Sequence, residues 1–270
     1  MSSYIDTHIH LDRLNGIGLQ LEQARAAGVG AWVVPGISPD GWAELMTTAE
    51  RHAGVYAAPG IHPQAAGSGE KLPLEELRRL LEHPRSVAVG EVGLDGQIGV
   101  PREIQEQVFV AMIRLARQEN KPLLIHARRS SERILQLLRR EQADRVGGIF
   151  HAFSGSLETA RKIIDMGFAL GIGGALTFPG ARRLPEVVRQ VPAEVLVLET
   201  DAPDMTPEPY RGQPNRPAYL GLVAGQLATL RGWSLTETAR ITTANACRIL
   251  RLPLQANPVN LVQGNHHEQL

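Results

Sequence analysis

Along the chain, short runs of β-branched and aliphatic residues alternate with longer stretches whose apolar positions recur at helical spacing. The short runs predict strands over 4–6, 31–34, 55–58, 87–89, 123–126, 148–151, 169–172 and 195–198. Helices are predicted between them. The segment 104–119 sets Val108, Ile113 and Leu115 among Gln, Glu and Arg, and 131–141 opens at Ser130 and Ser131, residue types that cap helix N-termini. Strict strand–helix alternation implies parallel strands with right-handed crossovers. Eight such units in about 250 residues fit a single closed TIM (β/α)8 barrel better than an open sheet. No linker interrupts the series, so one barrel domain is expected over 1–252. A polar, aperiodic and flexible tail is expected over 253–270, where His266 and His267 read as solvated chain rather than a metal site. The Pro-rich stretch 202–217 (APDMTPEPYRGQPNRP) is too proline-dense for a helix and long enough to form an ordered lid or wall over the barrel mouth.

Composition narrows the function classes. The 28 Lys and Arg balance the 28 Asp and Glu, so no global positive field draws in duplex DNA or an anionic membrane. Hydrophobic residues at 43% and charged residues at 21% are enough for a buried core and exclude a disordered chain. The single cysteine, Cys247, permits no internal disulfide, and its apolar-periodic setting makes it a small core residue. The start MSSYID lacks the basic and apolar stretches of a secretory signal, and no apolar run approaches the roughly 20 residues of a membrane helix. A cytoplasmic protein without membrane association or an obligate protein partner is expected.

The nine histidines are unevenly placed. Asp6, His8 and His10 alternate in DTHIH, and a strand sends alternate residues to one face. Two imidazoles on one face can grip a metal ion, whereas a packed core rarely admits two unpaired polar rings. His62 follows the third strand in GIHP, and Glu91 the fourth in GEVGLD. His126 ends the fifth in PLLIHARR, His151 the sixth in FHAFSG, and Asp201 follows the eighth in LETDAP. Catalytic groups of such barrels gather at the C-terminal strand ends, so these residues converge on one rim. Four imidazoles with two carboxylates suit a pair of divalent ions, with zinc, manganese, cobalt and magnesium all admissible. Glu91, with two oxygens, can bridge ions about 3.5–4 Å apart. Such a pair makes the rim locally positive and favours an anionic substrate.

In these motifs, and in FHAFSGS, QPNRP and the late TTANACRIL, nearly the whole chain resembles the TatD family of metal-dependent hydrolases and deoxyribonucleases, within the wider amidohydrolase-like barrels. GIGGALTFP and TDAPDM followed by GQPNRP are similar to a bacterial TatD-like subgroup. The resemblance implies His8, His10, Glu91 and Asp201 as ligands of one ion and Glu91, His126 and His151 as ligands of a second. It places His62 and Arg128 near a scissile phosphate. The stretch GQIGVPREIQ after Asp95 departs from the family by lacking an aromatic pair, so the substrate channel is expected to differ in shape.

On this reading Asp201 orients the attacking water and accepts its proton, Arg128 offers two parallel hydrogen bonds to phosphate, and Glu199, two residues before Asp201, orients a ligand from beneath. Asp6, Asp95 and Ser154 are read as orienting loops or ligands. The leading function is a two-metal phosphodiesterase with DNA as its substrate, attacked from a single-stranded or frayed end. Hydrolysis of a carbon-centred ester, lactone or amide, including an aminoacyl ester on RNA, is the alternative, and PLLIHARR, lacking the lysine of many wider relatives, tilts toward phosphate. A metal-stabilised binding barrel is the non-enzymatic reading. Gly171 to Gly174 lack the full spacing of a dinucleotide loop and read as strand-end packing. Arg128, Arg129, Arg182, Arg183, Arg211 and Arg216 are placed to ring the mouth, or simply to face solvent.

Overall fold

In the computed structural model, which describes residues 3–67 and 72–252, strand and helix alternate as the periodicity requires. The order is β1 (Tyr4–Asp6), α1 (Ile17–Ala26), β2 (Val29–Pro35), α2 (Trp42–Arg51), β3 (Val55–Ala58), α3 (Leu74–Glu82), β4 (Val89–Asp95), α4 (Arg102–Gln118), β5 (Leu123–Arg128), α5 (Ser131–Arg140), β6 (Gly148–Phe150), α6 (Leu157–Asp165), β7 (Phe168–Ile172), α7 (Arg183–Gln190), β8 (Leu196–Leu198), α8 (Leu220–Arg231) and α9 (Leu235–Leu250). The tail over 253–270, with its histidine pair, lies outside the described residues. No helix among the described residues is long and apolar enough to cross a membrane.

All strand pairs are parallel, in the orders β1-β2-β3 and β4-β5-β6-β7-β8. Backbone hydrogen bonds join the two groups at both seams. The Thr7 amide donates to Leu198 O (3.0 Å), Asp201 N to His8 O (2.9 Å) and His10 N to Ala202 O (2.9 Å), while Val87 N donates to Ala57 O (2.9 Å) and Gly90 N to Pro59 O (3.2 Å). The eight strands therefore form a (β/α)8 barrel of TIM type.

Two apolar layers hold it. One lies between strands and helices and contains Trp32, Phe109, Phe150 and Phe168; the other fills the barrel with Ile5, Val33, Ala58, Leu124, Ile149, Ala169 and Val197. The inner layer continues into Ala246, Cys247 and Leu250 of α9, so Cys247 is a buried core residue. Two positions beyond Leu124, Ile149 and Val197 stand His126, His151 and Glu199. The strand alternation that buries those aliphatic side chains thus aims the next inward residues at the mouth.

Local expectations needed correction. The fourth strand lies at Val89–Asp95 rather than 87–89, so Glu91 is inside it and not after it. The first strand ends at Asp6, which leaves His8 and His10 on the connection beyond it, and the fifth continues through His126 to Arg128. The Ser130 hydroxyl makes no cap to α5 and donates instead to Leu94 O (2.6 Å), tying the helix start to β4. The final helix ends at Leu250, short of Leu252. The Pro-rich stretch is an ordered wall: Asn215 Nδ2 donates to Thr200 O (2.7 Å) and Asp204 O (2.8 Å), Thr206 Oγ1 donates to Gln213 O (2.6 Å), and the Tyr210 and Tyr219 rings stack at 4.4 Å.

Candidate metal centre

Glu91 stands at the centre. Its backbone is clamped where Glu91 N donates to Gly36 O (2.9 Å) and Gly36 N to Gly90 O (2.8 Å). The chain ends after β2 and β3 can close on β4 because Gly60 carries no side chain: a Cβ there would lie 2.7–2.8 Å from the Gly90 backbone. The 3%-exposed carboxylate divides its oxygens between two groups of rings. Oε2 faces His8 Nε2 (3.4 Å) and His10 Nε2 (3.8 Å), while Oε1 faces His126 Nδ1 (2.7 Å), His151 Nε2 (2.8 Å) and His62 Nε2 (3.7 Å). Asp201 completes the first group, with Oδ1 at 3.7 Å from His8 Nε2 and 3.5 Å from His10 Nε2. Ligand atoms of three triads, His8–His10–Asp201, His8–Glu91–His151 and His62–Glu91–His126, each lie mutually close enough to surround an ion.

The donor set fits divalent metals. Both ring nitrogens of fully buried His8, and Nδ1 of His10 and His151, have no hydrogen-bond partner. Buried polar atoms are seldom left so, and a cation would satisfy those lone pairs that point inward. Burial holds His8 down to about 4, so its ring is neutral and able to ligate at neutral pH. Burial opposes ionisation of Glu91 and Asp201 as well, yet the surrounding imidazoles outweigh it, holding Glu91 well below the usual carboxylate range and lowering Asp201. His151 is likewise disfavoured as a cation by burial, but Glu91 overrides this and pushes the ring up to about 10. A metal ion taking a lone pair of His151 would have to displace that proton.

Neighbouring residues set tautomers and orientation. His126 has Nε2 3.2 Å from Asp95 Oδ2 and Nδ1 toward Glu91, so a proton on Nε2 shared with Asp95 leaves Nδ1 free as a donor atom. At His62, Gln64 N donates to Nδ1 (3.1 Å), and burial lowers the ring to about 4. The neutral ring assigned from that bond carries its proton on Nε2, a hydrogen-bond donor aimed into the site. Glu199 lies fully buried beneath, accepting from Ala152 N (2.5 Å) with Oε1 3.9 Å from His151 Nδ1. Gly171 makes room for it: a Cβ there would collide with Glu199 Oε2, which accounts for the strand-end glycine. Asp6 accepts from Thr200 N (2.9 Å) and Oγ1 (2.5 Å) and so fixes the turn that presents Asp201, whose φ of 56° is left-handed. Arg128, exposed at the end of β5, lines the same cavity of about 730 Å³ with Ile98, Ser154, Asp204 and Met205.

Gln105 escaped the sequence reading. Its amide accepts from Asp95 N (2.8 Å) and donates to Asp95 O (3.1 Å) and Val100 O (2.8 Å), anchoring the partner of His126. The signal was a polar residue on the buried stripe that Val108, Phe109 and Met112 define along α4. Thr200 escaped it too, since its partner Asp6 is 194 residues away.

Parallel strands in a barrel, with imidazoles and carboxylates gathered at their C-terminal ends, define a (β/α)8 barrel with a candidate metal centre at its rim. Comparison with known proteins narrows the class. The family model described as TatD related DNase matches residues 5–251. The chain is 39% identical over 251 residues to the uncharacterized metal-dependent hydrolase YabD of Bacillus subtilis, covering 92% of this chain and 98% of that one. The crystal structure of the TatD homologue YjjV from Escherichia coli superposes with a TM-score of 0.87 at 35% identity, covering 93% and 98% of the two chains. A TatD family hydrolase from Entamoeba histolytica shares the fold, with a TM-score of 0.82 at 20% identity over 93% of this chain and 99% of that one. The chain belongs to the TatD family of metal-dependent hydrolases.

Proposed function

We propose that the chain is a two-metal phosphodiesterase that cleaves DNA from single-stranded or frayed ends. The observation that carries this reading is the division of the Glu91 oxygens, one toward His8 and His10, the other toward His126 and His151. His8, His10, Glu91 and Asp201 would hold one ion, and Glu91, His126 and His151 the other. Bound divalent ions would lower the pKa of water from 15.7 to roughly 7 and offset charge on a phosphate in the transition state. The protein does the rest. Asp201, kept ionised by its histidine neighbours, orients the attacking water and takes its proton on a carboxylate oxygen. A bond forms from the water oxygen to phosphorus as the bond to the leaving oxygen breaks. His62 donates from Nε2 to a phosphate oxygen, and Arg128 offers its planar fork from the rim. Glu199 supports the segment bearing His151 by accepting from Ala152 N. The cavity mouth suits a strand terminus better than an intact duplex, and the name of the matching family supports a DNA substrate.

The test is cleavage of 3′- and 5′-labelled single and double strands by metal-reconstituted protein. Asp201→Asn is expected to cost roughly 10²–10⁴-fold in rate. Equal cleavage by wild type and variant would remove Asp201 as the base. Turnover of small carboxylic esters without cleavage of any phosphodiester would overturn the reading in favour of carbon-centred chemistry. Metal analysis is expected to find two equivalents in the wild type and fewer in Glu91→Gln.

A further inference from the structure

A second cavity of about 460 Å³ adjoins the metal centre, between the connection from β7 to α7 and the Pro-rich wall. Ser154 lines both cavities, so the two are neighbours at that residue. Phe178, Arg182 and Arg183 line the second from one side and Arg211 from the other, and no acidic residue lines it. This is unlike the cavity at the start of α5, where Arg102, Arg129 and Arg133 are matched by Glu103, Glu106 and Glu132, and Arg133 is tied to Glu106 at 2.6 Å. Arg182, Arg183 and Arg211 are exposed and enter no ion pair among the described residues. The Arg211 guanidinium lies over the Phe178 ring at 4.4 Å, a cationic plane. Fixed positive charge without counter-charge beside a flat stacked surface is the combination that holds single-stranded nucleic acid, where phosphates meet arginine and bases stack on planar groups.

We propose that this groove binds the nucleotide next to the scissile bond in a single-stranded substrate, Arg182 and Arg183 taking its phosphate and the stacked Arg211–Phe178 pair its base. The proposal rests on the phosphodiesterase reading. It explains how a chain without net charge guides a polyanion, since the attraction is confined to the path leading to the metals. It also assigns length dependence to the groove: a substrate with no flanking nucleotide cannot reach it.

Three measurements on the full chain separate the two readings. The first is binding of a fluorescently labelled single-stranded oligonucleotide by anisotropy in the presence of chelator. The second is cleavage of the same oligonucleotide after metal loading, and the third is hydrolysis of bis(p-nitrophenyl) phosphate, a diester without flanking nucleotides. The variants are R182A/R183A and R211A, with R139A/R145A, near the opposite end of the barrel, as a control of equal charge change to the double variant. Loss of charged hydrogen bonds predicts a rise of about tenfold or more in oligonucleotide Kd and KM for R182A/R183A. The slope of log K against log salt should fall by about 0.7 for each phosphate that the variant no longer neutralises. R211A should weaken binding roughly 5- to 100-fold through reduced stacking. Small-diester turnover stays within about twofold of wild type on this account. If oligonucleotide Kd and KM do not move, or move equally in the control, the groove proposal fails while small-diester hydrolysis still upholds the phosphodiesterase. If no diester is cleaved yet binding falls in the groove variants alone, the phosphodiesterase reading fails and the groove stands as a binding site.

Discussion

A single carboxylate, Glu91, sits at the centre of the histidine cluster, and His151 shows what its field does. Glu91, with Asp201 and Glu199 beyond it, outweighs burial and raises the His151 ring to about 10. In the metal-free protein that ring keeps its proton at neutral pH. The stabilising contribution is complete below the ordinary imidazole value of 6.5 and fades as pH climbs through about 10. An ion bound at His151 must displace this proton, so metal affinity should rise with pH up to about 10, roughly tenfold per unit for each proton displaced. Calorimetric metal titrations at pH 7 in two buffers of different ionisation enthalpy should differ by the heat of at least one released proton; identical heats would contradict it. Gly171→Ala should prove damaging, because its Cβ meets the Glu199 carboxylate; lowered Tm together with weakened metal binding is the expected pair of results. The histidines and carboxylates were legible as residues because polar rings at strand ends have few structural uses. Gln105 and Thr200 were not, since each acts only through a partner that folding supplies.

Among the elements, the fourth strand departs furthest from the pattern its residues suggest locally. A parallel strand buried on both faces ordinarily reads as an unbroken apolar run, but VGEVGLD interrupts it with two glycines and a buried glutamate, all seven residues being buried. The glycines are there for approach: Gly90 backs onto Gly60, and Trp42 Nε1 donates to Gly60 O at 2.9 Å. Gly60→Ala would push β3 and β4 apart by forcing a methyl against the Gly90 backbone, at a cost of about 1–3 kcal/mol for overpacking. The expected outcome is a lower denaturation midpoint and, because Glu91 follows Gly90, a loss of bound metal; unchanged metal content at full occupancy would show that the seam does not set the position of Glu91. The first strand errs in the opposite sense. DTHIH looks like a strand because it alternates, yet pairing stops at Asp6, whose carboxylate turns to hold Thr200.

For the whole molecule, the proposed ligands stand in or just beyond β1, β4, β5, β6 and β8, so ion binding should act as a staple across five strands. At a hundredfold excess over Kd, each site would add about 2.7 kcal/mol, roughly 5–10 °C in Tm for a chain of this size. Thermal denaturation with and without chelator tests this, and coincident curves would deny that the described cluster holds metal in the folded state. The alternation of short apolar runs and amphipathic stretches determined the (β/α)8 class, because strand and helix periods are local properties of the chain. The same local logic determined which side chains stand at strand ends and hence the candidate ligands. Only the tertiary structure decided how they share the work. The split of the Glu91 oxygens, the Nε2 proton of His62 set by Gln64, the anchoring of Asp95 by Gln105 and the acid-free groove beside Ser154 all depend on distances between segments remote in sequence. Those distances follow from closure of the barrel, at the β1–β8 and β3–β4 seams, and no local periodicity encodes them.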